Sequence, residues 1–214
     1  MTARTGLASA LVLSVCLGCA APADAHRLDE YLQATRLAID VEQLRLEIDL
    51  TPGASVAPQV IAAIDMDEDG QISRAEADRY AREVLRAVAL SVDDTPMAIA
   101  LEDSQFPELR EMNLGVGMIR LRATATLPSS AVGSHHVSYA NNHWPVPSVY
   151  LVNTLAQGNP RIEIGRPRRD VAQRSLTLEY RVTLDPRWAR LWWSLTGVAI
   201  GGLLVCARWR RTES

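Results

Sequence analysis

Residues 119–127 read IRLRATATL, a run in which apolar side chains alternate with arginine and threonine. Residues 176–184 (LTLEYRVTL) and 44–50 (LRLEIDL) carry the same kind of alternation. Successive side chains on a β-strand point to opposite faces, so a period of two predicts a strand with one buried and one solvated face. These segments therefore predict three strands of a β-rich domain.

Shorter or weaker alternations predict further strands on either side of these three. They cover residues 37–41, 97–101, 137–139, 149–155 and 161–164, and another strand begins near Leu90. Many short strands without repeated helical units are typical of two packed antiparallel sheets. The sequence thus predicts a mainly β fold, an antiparallel β-sandwich with about seven or eight strands.

In chain order, the second predicted strand covers residues 44–50 and the third begins near Leu90. Between them, residues 65–76 read DMDEDGQISRAE. Ca²⁺ takes about six to eight oxygen ligands, and a twelve-residue calcium loop supplies them from positions 1, 3, 5, 7, 9 and 12, with glycine at position 6. Gly70 occupies position 6, and Gln71 offers its backbone carbonyl at position 7. The predicted metal ligands are Asp65, Asp67, Asp69, Gln71, Ser73 and Glu76.

This segment resembles the calcium loop of the EF-hand family, and the resemblance implies a helix on each side and Ca²⁺ as the bound ion. The residues that follow, RAEADRYAREVLRAVAL (74–90), place apolar side chains on one helical face, as an exiting helix requires. We predict an EF-hand helix-loop-helix inserted in the sandwich at residues 56–90. Two other interpretations stay open: a simple acidic turn, or a phosphatase DxD motif formed by Asp65 and Asp67.

The sequence contains no second loop of this kind, although such loops usually work in pairs. Ile72, at position 8, is therefore predicted to contact the host domain, a second copy of the chain, or nothing. A lone site predicts weak affinity, about 10⁻⁴ to 10⁻³ M.

Both ends of the chain carry apolar segments. Residues 1–25 combine an early arginine, a hydrophobic run and an AxA cleavage pattern, which predicts a signal peptide and leaves His26 as the new N-terminus. Residues 188–208 contain a long uncharged run bordered by arginines and tryptophans, which predicts a transmembrane helix followed by a cytoplasmic tail at 209–214. The predicted location is a bacterial inner membrane, crossed once, with a periplasmic domain at 26–187.

The composition limits the classes of function. Arginine accounts for all 22 basic residues, yet the formal net charge is −3, so nucleic acid is excluded as a predicted partner. After the predicted cleavage only Cys206 remains, inside the predicted span, so no disulfide is expected in the exported domain. No GxSxG, HExxH, CxxC or phosphate-loop motif occurs in the sequence, and we predict that the protein is not an enzyme.

A second resemblance is carried by the calcium loop together with HRLDEYLQATRLAI (26–39), SVYLVNTL (148–155) and SLTLEYRV (175–182). These segments are similar to ectodomains attached to, or encoded beside, bacterial nickel and cobalt type membrane transporters. The resemblance implies a periplasmic accessory or sensing role, with a transporter subunit as partner. Gly197 and Gly201 form a GxxxG pattern within the predicted span, which indicates a homodimer as another arrangement.

The sequence therefore predicts a membrane-anchored periplasmic calcium-binding protein with a structural or sensory role. The alternative is an accessory protein for nickel, cobalt or copper, because an N-terminal His26 chelates a metal through its amine and its ring. His135, His136 and His143 are the histidines that would complete such a site. Neighbours on a strand point to opposite faces, so His135 and His136 are not both expected in one site. Residues 141–144 are predicted to form a surface turn.

Overall fold

The computed structural model describes residues 29–127, 131–144, 148–155 and 159–184, which form eleven strands and three helices. Within these residues the strands are β1 Tyr31–Ile39, β2 Gln43–Pro52, β3 Val88–Val92, β4 Thr95–Pro96, β5 Ala100–Gln105, β6 Ile119–Thr126, β7 Gly133–Asn141, β8 Ser148–Leu155, β9 Ile162–Ile164, β10 Arg168–Arg169 and β11 Ser175–Val182. The helices are α1 Ala57–Ile64, α2 Arg74–Arg86 and α3 Leu109–Asn113. One sheet has the strand order β5-β6-β2-β1-β8, and the other has the order β10-β11-β7-β3-β4 with β9 beside β11.

The prediction of a mainly β fold is confirmed: two sheets are present, and the clearest alternating segments lie largely in β2, β6 and β11. The prediction that all strands are antiparallel is wrong for one pair. β1 and β8 run parallel, with Tyr31 opposite Ser148 and Ala38 opposite Leu155. Parallel neighbours need a crossover connection, and the chain between β1 and β8 runs through the second sheet before it returns.

The core lies between the two sheets, and the apolar residues of the alternating strands point into it. Burying one large apolar side chain stabilises the fold by about 1.5 to 3 kcal/mol, so each inward row contributes strongly. The inward rows of β2, β6 and β11 are Leu44, Leu46, Ile48 and Leu50, then Ile119, Leu121, Ala123 and Ala125, then Leu176, Leu178, Tyr180 and Val182.

One charged side chain on the outer side of β2 is also buried. Asp49 accepts hydrogen bonds from Arg36 at 2.5 Å and from Arg120 at 2.8 Å. Burial works to raise the pKa of Asp49, but the hydrogen bonds and charges of Arg120 and Arg36 outweigh it and lower that pKa. The carboxylate is therefore ionised and ties β1, β2 and β6 together on this face.

The strand predicted at residues 97–101 is displaced along the chain. β5 covers Ala100–Gln105 at the edge of its sheet, with a register irregularity between Leu101 and Asp103. Its residues, ALEDSQ, are mostly exposed, and an edge strand that buries no complete face carries no period of two. α3 has no counterpart among the predicted elements, since five residues are too few for a helical period.

The two helices α1 and α2 lie between β2 and β3, as predicted for the inserted segment. α2 buries Tyr80, Ala81, Val84 and Leu85 against the sandwich. It ends at Arg86 rather than continuing to residue 90, because β3 begins at Val88 and pairs with β7. α1 buries Ala57, Val60 and Ile64, so both helices attach to the body of the domain through apolar faces.

The two ends of the sandwich carry different features. The helices follow the C-terminal end of β2, whose ten residues span about 30 Å. At the opposite end, Asp40 accepts a hydrogen bond from Asn159, and the Asp40 N–H donates to Gln43. The Thr183 N–H there donates to the Arg161 carbonyl, so the chain leaves β11 at the end remote from α1 and α2.

Four predicted features lie outside the described residues. They are the signal peptide, His26, the transmembrane helix and the cytoplasmic tail. Among the residues that are described, no helix has the length and apolar character needed to cross a membrane. The signal peptide and the span therefore stay predictions from the sequence.

Candidate metal centre

The predicted loop joins α1 to α2 through a sharp turn. α1 ends at Ile64, α2 starts at Arg74, and Gly70 has φ +79. Apart from Gly70 and its two chain neighbours, no residue has an atom within 4 Å of the place where a Cβ on Gly70 would stand. The glycine is therefore required by the left-handed backbone and not by lack of space.

Asp65 holds the inside of the loop together. The side chain is buried, its Oδ1 accepts the Asp69 N–H at 3.2 Å, and its Oδ2 accepts the Gly70 N–H at 3.0 Å. Asp67 Oδ1 accepts the same Asp69 N–H at 3.3 Å. These contacts turn the backbone amides of the loop toward its first carboxylate.

Glu76 closes the loop from the first turn of α2. Its Oε1 accepts the Met66 N–H at 2.7 Å, and its Oε2 accepts the Ser73 N–H at 2.9 Å and the Ser73 hydroxyl at 2.7 Å. Ser73 in turn caps α2 by accepting the Glu76 N–H, which completes a capping box. The Ser73 hydroxyl, the Ser73 N–H and the Met66 N–H lower the pKa of Glu76 to about 2, so its carboxylate is ionised.

Three of the predicted ligands converge. Carboxylate oxygens of Asp65, Asp67 and Glu76 lie within 4.8 Å of one another, and no other set of three or more carboxylate, imidazole or thiolate groups does so among the described residues. The Asp69 N–H favours the ionised form of Asp67, but desolvation and the charges of Asp69 and Glu76 outweigh it and raise the pKa of Asp67. The cluster is thus held together against its own repulsion, and a cation placed among its oxygens would remove that repulsion.

The other three predicted ligands are placed differently. Asp69 is not part of the converging group, and its Oδ1 accepts the Gln71 N–H at 2.8 Å. The Ser73 hydroxyl is engaged with Glu76, and Gln71 is exposed. The converging donors are all carboxylate oxygens, with no imidazole or thiolate among them. This donor set fits a hard divalent cation such as Ca²⁺.

Ile72 contacts the host domain. The side chain is half-buried and packs against the hydrophobic core that the two helices and the two sheets share. Of the three contacts left open by the sequence, the domain itself is the one observed. The loop is therefore joined to the domain through Ile72 as well as through α2.

His135 and His136 contact different oxygens of one carboxylate, that of Asp93, but the three groups do not converge as ligands of one metal site, as strand alternation predicts. The contacts are His135 Nδ1 to Asp93 Oδ2 at 2.7 Å and His136 Nδ1 to Asp93 Oδ1 at 3.3 Å. Asp93 lies in the turn after β3, accepts the His136 N–H, and donates its own N–H to the His136 carbonyl. Because this carboxylate lies alongside the backbone of β7, side chains from both faces of the strand reach it. The hydrogen bond with the Asp93 carboxylate raises the pKa of His135.

Asn141 and His143 are buried, Trp144 is half-buried and Asn142 is exposed, so residues 141–144 do not form the surface turn that the sequence predicts. Asn141 donates to Gln33 Oε1 at 2.9 Å and accepts the His143 N–H, while Gln33 donates to the His143 carbonyl. The His143 ring lies 3.2 Å from the hydroxyl of Tyr80, which in turn lies 2.9 Å from the hydroxyl of Tyr31. Burial lowers the pKa of His143 to about 4, so the ring is neutral near pH 7.

One signal in the sequence points to this buried network. Tyr80 falls on the apolar face of the predicted exiting helix, and a buried tyrosine hydroxyl needs a hydrogen-bonding partner. The sequence does not identify that partner, because Tyr31 and His143 are distant along the chain. Only the packing of α2 against β1 and the end of β7 brings the three rings together.

Comparison with known proteins gives no family for this chain. No protein-family model, curated protein or solved structure matches it. Function therefore rests on the geometry of the loop and on the sequence.

Proposed function

We propose that this protein is a membrane-anchored, periplasm-facing calcium-binding protein with a single EF-hand. Its predicted ligands are Asp65, Asp67, Asp69, Gln71 through its carbonyl, Ser73 and Glu76. One observation carries the proposal: carboxylates from loop positions 1, 3 and 12 converge to within 4.8 Å between two helices. A cluster of this charge is stabilised by a divalent cation with an all-oxygen shell.

The position of Asp65 weakens the two competing interpretations of the loop. A phosphatase of the DxD type carries its first aspartate at the end of a buried parallel strand, whereas Asp65 directly follows α1. A simple acidic turn leaves its carboxylates in solvent, whereas Asp65 and Glu76 are both buried. Calcium binding accounts for the burial, the spacing and the left-handed Gly70 together.

The proposed role is structural or sensory, and no chemical step is assigned to the protein. Residues 188–208 would cross the inner membrane and leave the domain in the periplasm. Thr183 lies at the end of the sandwich remote from the point where β2 leads into the helices, so the chain would leave β11 away from the start of the inserted segment. A partner at the loop would then be a transporter subunit or a second copy of the chain.

Calorimetric titration of the full chain with Ca²⁺ tests the proposal. We expect a saturable heat for the wild type, and at least about a tenfold weaker affinity in Asp67→Asn, because a charged ligand is lost. Asp94→Asn is the matched control, since Asp94 is an exposed aspartate outside the loop. No heat with Ca²⁺, or equal weakening in both variants, would refute calcium binding at this loop.

The same titration with Ni²⁺ and Cu²⁺ tests the transition-metal alternative. The histidines within the described residues are already hydrogen-bonded: His135 and His136 to aspartates, and His143 to Tyr80. Tight binding of nickel or copper that disappears in His26→Ala would favour that alternative. We expect the His26→Ala variant to retain the calcium heat.

A further inference from the structure

Glu76 and Tyr80 lie one turn apart on the same buried face of α2. Glu76 belongs to the proposed metal site, whereas Tyr80 reaches the core of the sandwich, with 1% of its surface exposed. Residues four apart on a helix move together, because the intervening turn is rigid. A shift of the α2 backbone at Glu76 would therefore be shared by Tyr80.

Calcium binding requires the hydrogen bonds of Glu76 to rearrange. Each carboxylate oxygen accepts about two hydrogen bonds or ligands. Oε2 of Glu76 already accepts both Ser73 donors, and Oε1 accepts the Met66 N–H. Bidentate coordination needs one free position on each oxygen, so Ser73 must release one contact to Oε2. Ser73 is the N-cap of α2 and Glu76 lies in its first turn, so this exchange of contacts takes place where the loop meets the helix.

Through Tyr80, α2 contacts the segment His143–Trp144. Tyr80 contacts His143 through its hydroxyl at 3.2 Å and through an edge-to-face ring contact at 5.7 Å. Trp144 packs edge-on against Tyr31 at 5.9 Å, and Tyr31 shares the second hydrogen bond of Tyr80. Tyr31 and His143, the two rings that contact Trp144, are therefore both hydrogen-bonded to the Tyr80 hydroxyl.

Trp144 is also held in a strained backbone conformation. Its φ is +42, a value that bulky residues rarely adopt. Its carbonyl accepts a hydrogen bond from Tyr150 at 3.0 Å, and the preceding carbonyl accepts a second one from Tyr150 at 2.7 Å. Strained backbone persists where surrounding contacts hold it, so loss of those contacts releases it.

We propose that calcium binding at residues 65–76 is coupled through Tyr80 to the segment His143–Trp144. This inference rests on the proposed function. The helix α2 transmits the change, because a close-packed interior passes on small displacements instead of absorbing them. Outside the helices, His143 and Trp144 are thus the residues through which the metal would be sensed.

Tryptophan fluorescence of the full chain tests the coupling. Five tryptophans occur in the sequence, and substituting Trp188, Trp192, Trp193 and Trp209 by phenylalanine leaves Trp144 as the single reporter. We expect its emission to change with Ca²⁺, with the midpoint found by calorimetry for the same protein. Adding Tyr80→Phe removes the hydroxyl and keeps the ring, and it should reduce the change more than twofold while calcium still binds.

Tyr139→Phe in the single-tryptophan chain is the matched control. Tyr139 is another buried tyrosine, and its hydroxyl bonds to Thr35 instead of to this network. We expect it to keep the full fluorescence change. An unchanged response in Tyr80→Phe, or no response of Trp144 while calorimetry shows calcium binding, overturns the coupling and leaves the proposed function intact. Absence of calcium heat in the wild type overturns both.

Discussion

Replacing His143 by glutamine should flatten the pH dependence of folding stability on the acidic side. Burial lowers the pKa of His143 from its usual 6.5 to about 4, so the unfolded chain takes up a proton on His143 between these values and the folded chain does not. Stability therefore falls as pH drops from 6.5 toward 4. A shift of this size corresponds to about 3 kcal/mol, at about 1.4 kcal/mol for each pH unit.

The assay is urea unfolding of the full chain from about pH 7.5 to pH 4, with chelator present so that no metal contributes. We expect the wild type to lose about 3 kcal/mol more than His143→Gln over this range. The raised pKa of His135 acts in the opposite sense, since its contribution is present at low pH and lost as pH rises. It is common to both proteins and cancels in the comparison.

Tyr139→Phe is the control, because it alters another buried ring of the same domain and removes no histidine. We expect it to follow the wild-type pH dependence over the range governed by His143. Equal slopes for the wild type and His143→Gln would refute the buried neutral ring, and with it the assigned packing of residues 141–144.

Three further predictions concern the fold and the loop. Ile48→Ala should destabilise the domain by about 2 to 5 kcal/mol in chemical unfolding, while the exposed Val116→Ala should change stability by less than about 0.5 kcal/mol. Arg120→Gln leaves the buried Asp49 with one arginine fewer and should cost about 1 to 3 kcal/mol, which a double-mutant cycle with Asp49→Asn would assign to the pair. Gly70→Ala should destabilise the loop by about 1 to 2 kcal/mol through its left-handed φ, measured as a lower unfolding midpoint with and without Ca²⁺.

Period-two alternation predicted the strands that bury one complete face. It located β2, β6 and β11 closely, because their inward rows are apolar throughout. It misplaced β5, which lies at a sheet edge, and it carried no information on the parallel pairing of β1 with β8. Pairing across distant parts of the chain is decided by packing that no local pattern records.

The loop was predictable for a different reason. Its ligand spacing is a local property, so the convergence of Asp65, Asp67 and Glu76 follows from twelve consecutive residues. The histidine contacts were not predictable in this way. His135 and His136 share Asp93 only because a turn residue lies alongside β7, and His143 meets Tyr80 only after α2 packs on the sandwich.

Calcium stoichiometry by equilibrium dialysis of the full chain is the most direct test of the central claim. We expect a single ion for the wild type and for Glu83→Gln, whose side chain is exposed on the same helix. Glu76→Gln should bind none at the same concentration, because the charge at loop position 12 is lost. An undiminished ion in Glu76→Gln, or no ion in the wild type at millimolar calcium, would contradict the account.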